Sequence, residues 1–349
     1  MSTPPPAQPM PPRRTTWLRR HLGRAVAVAY LAAAGVPAPG LYLRHPHTVP
    51  LPTGELRVHV PSLLLWLVLF TAGLQVPAQD LGRLLRRPVT LLTGLALHVV
   101  TPLLVIPVIV FALHRSPDAD GGSGLTAAMI LIVAMPVAAG ATVWTGNGHG
   151  DQPVMVGLVL ASTLISPFTI PLSVSVLSPL LSGDYPGTLA LAVHGTGYGF
   201  AFTSVLLPCG AGLLCRLLLP RRGLHPLLPL ARHSALWGSL VLTYLNASGA
   251  LGTFIAHPRP LLLAAAVAVA STVCVLSFTL GWATSRLLGL GASEGSSVTL
   301  ACGMNNSSAG AVLITTALPD RPHLLLPVLA YGLLQKVAAG RVVRPRSPG

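Results

Sequence analysis

Acid is what this chain has least of. Eight Asp and Glu stand against 22 Arg and Lys in 349 residues, and charged residues of every kind make up only 9%. Soluble domains carry roughly a quarter, so a water-facing fold is excluded. No acid falls deep inside an apolar run, which removes the carboxylates that an intramembrane hydrolase would set beside a nucleophile; the chain is not expected to be an enzyme. Cysteine is scarce too: Cys209, Cys215, Cys274 and Cys302 have neither metal-site nor disulfide-framework spacing and read as packing residues. Lysine occurs once, at Lys336, in an Ala- and Arg-rich vocabulary of the kind GC-rich bacterial genomes encode.

What the chain has instead is apolar surface. Hydrophobic residues make up 52% and the mean hydropathy is +0.70. Ten stretches are long enough to cross a bilayer as helices, at about 20 residues each: 24–44, 59–77, 89–113, 125–145, 153–178, 187–217, 229–247, 260–286, 294–317 and 322–339. They are too long and continuous for the short alternating segments of a membrane β-barrel. The fold expected is an all-α integral membrane protein of ten transmembrane helices. The first run carries Pro37 and Pro39 and ends without a small-residue cleavage site, so it reads as a retained helix rather than a signal peptide.

The net charge of +14 raises the question of nucleic acid, and its placement answers it. With a cytoplasmic N-terminus and alternating spans, 17 basic residues fall inside, Lys336 among them, against five outside: Arg44, Arg57, Arg115, Arg259 and Arg321. That is the positive-inside bias of a bacterial inner membrane or plasma membrane protein with both termini cytoplasmic. The partners expected are membrane lipid and a small-molecule solute, not nucleic acid; the oligomeric state is not readable. Residues 1–23 form a Pro- and Arg-rich tail expected to be disordered, 24–340 the transmembrane domain and 341–349 a second tail.

Polar interruptions concentrate at two points. One is "MPVAAGATVWTGN" (135–147) in the fourth run; the other is "LACGMNNSSAGAVL" (300–313) in the ninth, with Asn305, Asn306, Ser307 and Ser308 at its middle. If the chain is two five-helix halves, about 24–178 and 187–339, the fourth and ninth runs are the same element in each half. An odd helix count per half makes the repeat inverted, and paired broken helices in such proteins mark a midplane binding site. Non-helical backbone at that depth is tolerated only where it is enclosed by protein or lines a cavity, and Asn amides and Ser hydroxyls can partner the freed backbone groups. The alternative for Ser307 and Ser308 is that they are helix-packing contacts.

Further polar groups sit in neighbouring runs. "STLISPFTIP" (162–171) places Ser162, Thr163, Ser166 and Thr169 beside Pro167 and Pro171, where hydroxyls can refill the carbonyls that proline leaves bare. His98, near Pro102 and Pro107, is an ionisable residue within a span and a site candidate on that ground; His194 and Tyr198 in "HGTGYG" are weaker ones. "GNGHGDQ" (146–152) reads as a turn holding His149 and Asp151, and Glu294 as a residue favoured at a helix start.

These stretches together resemble a known family. "LFTAGLQVPAQDLGRLLRRPVTLLTGLALHVVTPLL" (69–104), "MPVAAGATVWTGNGHGDQPVMVGLVLASTLISPFTIP" (135–171) and "CGMNNSSAGAVL" (302–313) resemble the second and third, fourth and fifth, and ninth helices of the bile acid:sodium symporter family. The resemblance implies crossed broken helices 4 and 9, a core domain and a moving panel domain, and secondary transport of an organic anion or similar solute by alternating access. It also implies a coupling sodium ion. Against that, Ala301 stands where sodium-coupled members have an acid and Asn305 where they have Gln, Val137-Ala138 and Ala141-Thr142 replace Gly-Gly and Ser-Asn, and Met155 and Val159 fall where the fifth helix supplies hydroxyls. The solute-site residues expected are Thr142, Asn305, Asn306 and Ser307, with His98 facing them and Ser162, Thr163 and Ser166 behind; no cofactor is expected. Two other functions stay open: an exporter of arsenite or a like oxyanion, with Cys302 as a soft ligand, and a transporter-derived sensor.

Overall fold

The computed structural model describes residues 21–51, 54–76, 88–113, 122–191, 198–256 and 258–343. Most of the N-terminal tail, the Asp80 to Arg87 connection and His194 lie outside them. The first expected span is not one straight helix. Helix α1 (Leu22–Gly35) and helix α2 (Ala38–Arg44) meet at 93°. Pro37 causes the break: it has no N–H to donate, and its ring pushes Val36 out of helical conformation. An antiparallel hairpin follows, β1 (His47–Leu51) on β2 (Gly54–Val58), which the ten-helix expectation did not contain.

Helix α3 (Val60–Leu74) has only 15 residues, and α4 (Pro88–Leu113) has 26. The fourth expected span is two pieces, α5 (Ser123–Val133) and α6 (Ala141–Asn147). Helix α7 (Gln152–Leu177) follows, capped by the Asp151 carboxylate, which accepts the Val154 N–H at 3.1 Å. The sixth expected span is also not one described helix: α8 (Tyr185–Leu191) is separate, and helix resumes at Tyr198–Phe200, widens to π geometry over Ala201–Leu206 and continues as α9 (Leu207–Leu218). The wide turn lies just ahead of Pro208, whose ring would press on the carbonyl four residues back in a regular helix. Helix α10 (Arg221–Ala256) far outruns the 229–247 expected, and α11 (Pro260–Leu287) matches its run closely. The ninth span is again two pieces, α12 (Ala292–Gly303) and α13 (Ser307–Ala317), and the last is α14 (Leu325–Val343).

The protein is an all-α membrane protein. Among the described residues six helices are long and apolar enough to cross a bilayer, seven if the α1–α2 pair is one span. Large apolar side chains on their outer faces are bare, with Phe111 85% and Leu287 86% exposed, as lipid-facing residues are. Short α5 is the opposite case: all of its residues are buried, so it is walled in by other helices.

Three helices frame the centre and run parallel. Thr90 of α4 donates to the Glu294 carboxylate at the start of α12 (3.1 Å), and Thr101 meets Cys302 near its end (3.1 Å). At the same starting end, the Asp151 N–H ahead of α7 bonds Ser297 Oγ (2.8 Å) and the Ser293 carbonyl (3.1 Å). Elsewhere α3 and α9 cross so closely that a Cβ on Gly73 would lie 2.0 Å from the Cys209 carbonyl oxygen, and one on Gly212 would lie 2.0 Å from that of Phe70.

Candidate functional site

The two helix breaks meet. Pro136 cannot supply the N–H that would carry α5 onward, and the chain runs through Val137 and Ala138 into a turn at Ala139 and Gly140. In the ninth span, helix α12 stops at Gly303, where the Phe278 ring lies so near that a Cβ would fall 2.3 Å from its carbons. Asn306 then caps α13, its side-chain carbonyl accepting the Ala309 N–H at 3.1 Å. Between these stops the two extended pieces pair antiparallel, Val137 opposite Asn305. The Ala138 N–H donates to the Met304 carbonyl (2.8 Å), and the Asn306 N–H donates to that of Pro136 (2.9 Å). Each break thereby partners the backbone groups the other exposes, as enclosed backbone must.

Three side chains brace this bridge. Ser162 of α7, fully buried, accepts the Val137 N–H (3.1 Å) while donating to the Val159 carbonyl (3.1 Å). Tyr331 of α14, also fully buried, donates to the Gly303 carbonyl and accepts from Asn305 Nδ2, both at 3.0 Å. Gln335, one turn further along α14, donates to Ser307 Oγ (3.2 Å); its buried Oε1 has no partner among the described residues.

The other expected site residues divide. Asn305, Asn306 and Ser307 lie at the crossing. Thr142 is half-buried in the first turn of α6, donating to the Ala139 carbonyl (2.8 Å). Thr163 and Ser166 engage only α7's own carbonyls, those of Val159 (2.7 Å) and Thr163 (2.8 Å). The second is the carbonyl left bare by Pro167, so the Ser166 hydroxyl repairs the kink while that of Thr163 bonds back within its own turn. His98 is buried in α4 and makes no hydrogen bond among the described residues. It shares a helix face with Gly94, which abuts Leu158 of α7, and with Thr101, which meets Cys302. Cys302 itself is buried between Thr101 and Gly281, a packing position. Glu294 accepts from Thr90 rather than acting as a simple cap.

Tyr331, Gln335 and Lys336 are the residues that sequence reasoning missed. Lys336 was counted with the cytoplasmic cations, yet it stands within α14, half-buried, with neither ion pair nor hydrogen bond among the described residues. Its helix face also carries Gly332, which abuts Ser307, and Gly340, which abuts Trp144 of α6. A lone cation in an apolar span, next to Gln335, was the available signal.

Most oxygens at the crossing are already engaged in hydrogen bonds. The carbonyls of Pro136, Gly303 and Met304 already accept hydrogen bonds, Asn306 Oδ1 holds the α13 cap, and position 301 is a fully buried alanine. Asn305 Oδ1 is the one side-chain oxygen of the bridge with no bond among the described residues.

The family model described as the Sodium Bile acid symporter family matches residues 62–257. The chain is similar to "Uncharacterized sodium-dependent transporter YocS" of Bacillus subtilis (strain 168), 23% identical over 261 residues that cover 73% of each protein. It is similar also to "Uncharacterized protein YbaS" of the same organism, 23% identical over 279 residues, 78% of this chain and 83% of the other.

Proposed function

The chain belongs to the Sodium Bile acid symporter family, and from that membership we propose that it moves a small organic anion across the membrane by alternating access at the meeting of its two helix breaks. That it is a secondary transporter follows from the family and from the YocS likeness. The finer reading rests chiefly on one observation, the paired backbone bonds between residues 136–138 and 304–306.

On this reading the six long helices, the bent α1–α2 pair, short α3 and the two broken spans are ten crossings. They form two inverted repeats, about 24–178 and 187–339, with both termini cytoplasmic. Asn305, Asn306, Ser307 and Thr142 face the solute, with His98 beside them and Ser162, Thr163 and Ser166 holding α7 in place behind. Lys336 supplies the positive charge that favours an anion. The start of α13 adds partial positive charge to it. No sodium-dependent step enters this reading.

The test is flux into proteoliposomes from a panel of mono- and dicarboxylates with their neutral amides, with choline replacing sodium. Lys336→Gln should weaken carboxylate uptake about tenfold, the equivalent of ~1.4 kcal/mol, and leave any amide uptake unchanged. Asn306→Ala should remove solute-dependent thermal stabilisation. Flux that requires sodium, or carboxylate uptake indifferent to both variants, would overturn the reading.

A further inference from the structure

A cavity lies away from the crossing. It has a volume of about 170 Å³, walled by Ala250 and Phe254 of α10, Leu262 of α11 and Leu326 of α14, with Arg259 and His323 at its edge. Along α14, Leu326 is nine residues from Gln335, about 14 Å at the helical rise, so this cavity is separate from the crossing.

Its chemistry is two-sided. The walls are hydrocarbon and an aromatic ring; the volume is close to that of an engineered apolar cavity of about 150 Å³ that admits one benzene-sized group. It holds one alkyl segment, not a helix. The edge is cationic. Arg321 nearby is satisfied: it pairs with the Asp184 carboxylate and lies 4.3 Å over the Tyr185 ring, whose hydroxyl is 3.4 Å from His323 Nε2. Arg259 is different. It is exposed just ahead of α11 and has neither ion pair nor side-chain hydrogen bond among the described residues. An apolar pocket bounded by a cation without a carboxylate matches one class of ligand.

We propose that this cavity binds a single anionic amphiphile, its carboxylate or phosphate on Arg259 and its alkyl chain against Phe254, Leu262 and Leu326. The ligand ties together the end of α10 and the starts of α11 and α14. It comes either from the bilayer, as an anionic phospholipid, or from solution, as a fatty-acid-like anion.

Purified full-length protein in neutral detergent is titrated with phosphatidylglycerol, phosphatidylcholine, laurate and dodecanol, read by native mass spectrometry. The expected result is one tightly held equivalent of an anionic probe, weakened at least tenfold by Arg259→Glu. Leu262→Trp, which fills the pocket, should do the same, whereas Arg286→Glu at the far end of α11 should have no effect. Phosphatidylglycerol bound in preference to laurate identifies a lipid site, and the reverse a site for soluble amphiphiles; either supports the proposal. It is overturned if neither anion binds, if phosphatidylcholine and dodecanol bind as well as the anions, or if Arg259→Glu behaves as the unsubstituted protein.

Discussion

Removing one oxygen atom from Tyr331 should loosen the second helix break more than its size suggests. The hydroxyl donates to the Gly303 carbonyl and accepts from Asn305 Nδ2, both at 3.0 Å, in a side chain with no exposed surface. Tyr331→Phe keeps the ring and its packing but leaves both partners bare. In a soluble core, each buried group so orphaned costs about 1–3 kcal/mol. Membrane proteins give smaller values, about 0.6 kcal/mol per polar contact and at most about 1.7, because the unfolded helices find partners within the bilayer too. The lower scale applies here, and two bonds set the expected loss at about 1–3 kcal/mol. Tyr244→Phe is the control: its hydroxyl makes a single bond, to the Val36 carbonyl at 2.7 Å, at an exposed position, and should cost a few tenths. Unfolding in mixed micelles gives both values, and Asn305→Ala completes a double-mutant cycle. The two substitutions should be non-additive by about 0.5 kcal/mol or more, since the Asn305 and Tyr331 side chains share one bond. If Tyr331→Phe is no worse than Tyr244→Phe, the hydroxyl does not brace the break. A further consequence is functional: with Asn305 free to turn, solute affinity should fall before turnover does.

Ser162→Ala should destabilise by about 0.6–1.7 kcal/mol, because it strands the Val137 N–H. Thr163→Ala and Ser166→Ala, which remove bonds within α7 only, should each cost less than half of that in the same unfolding assay; equal losses for all three would show that the bond across to the break adds nothing. Gly73→Ala and Gly212→Ala should each cost about 1–3 kcal/mol by forcing α3 and α9 apart. Gly210→Ala, in the same helix with open space around it, should be neutral or stabilising by up to about 1 kcal/mol, and a uniform response of the three would refute the close crossing.

The helical membrane character and the two breaks were legible because they depend on local chemistry. Long apolar runs need no tertiary information, and Pro136, Gly303 and the paired Asn305 and Asn306 locally weaken helix in two otherwise apolar runs. The bend at Pro37 was visible as a residue, but its 93° angle was not. Proline removes one bond, and only surrounding contacts decide whether the helix curves or turns a corner. The hairpin at 47–58 was missed because its alternation, Val49 and Leu51 in one strand and Leu56 and Val58 in the other, is only two apolar residues long and lies between two much longer apolar runs. The braces on α14 were hidden for a different reason. Tyr331 and Gln335 are some 30 residues from the break they serve, and nothing in an apolar helix tells which polar side chain faces inward. Conversely, the hydroxyls of Thr163 and Ser166 looked equivalent to that of Ser162. Helix geometry separates them: of the three, only the Ser162 hydroxyl reaches another segment.

Asn305, Asn306 and Ser307 show how polar residues that interrupt an apolar span find partners there. Asn306 points its oxygen forward to cap α13, and its N–H backward to Pro136. Asn305 contributes its amide to Tyr331 and leaves Oδ1 unbonded among the described residues. Ser307 accepts from Gln335, whose own Oε1 is buried and unpartnered. The scaffold of the crossing is therefore closed, while two amide oxygens on α14 and the break keep unused acceptor capacity. Unused acceptors within an otherwise satisfied network are costly to keep in a low-dielectric interior. In the transport reading they are retained for the donor groups of a passing solute or its water, and Lys336, the residue after Gln335, balances that solute's charge. A site built this way discriminates by hydrogen bonding and by one fixed cation, which is why removing the lysine should change which solutes bind, whereas removing Tyr331's hydroxyl should change how firmly the site is held.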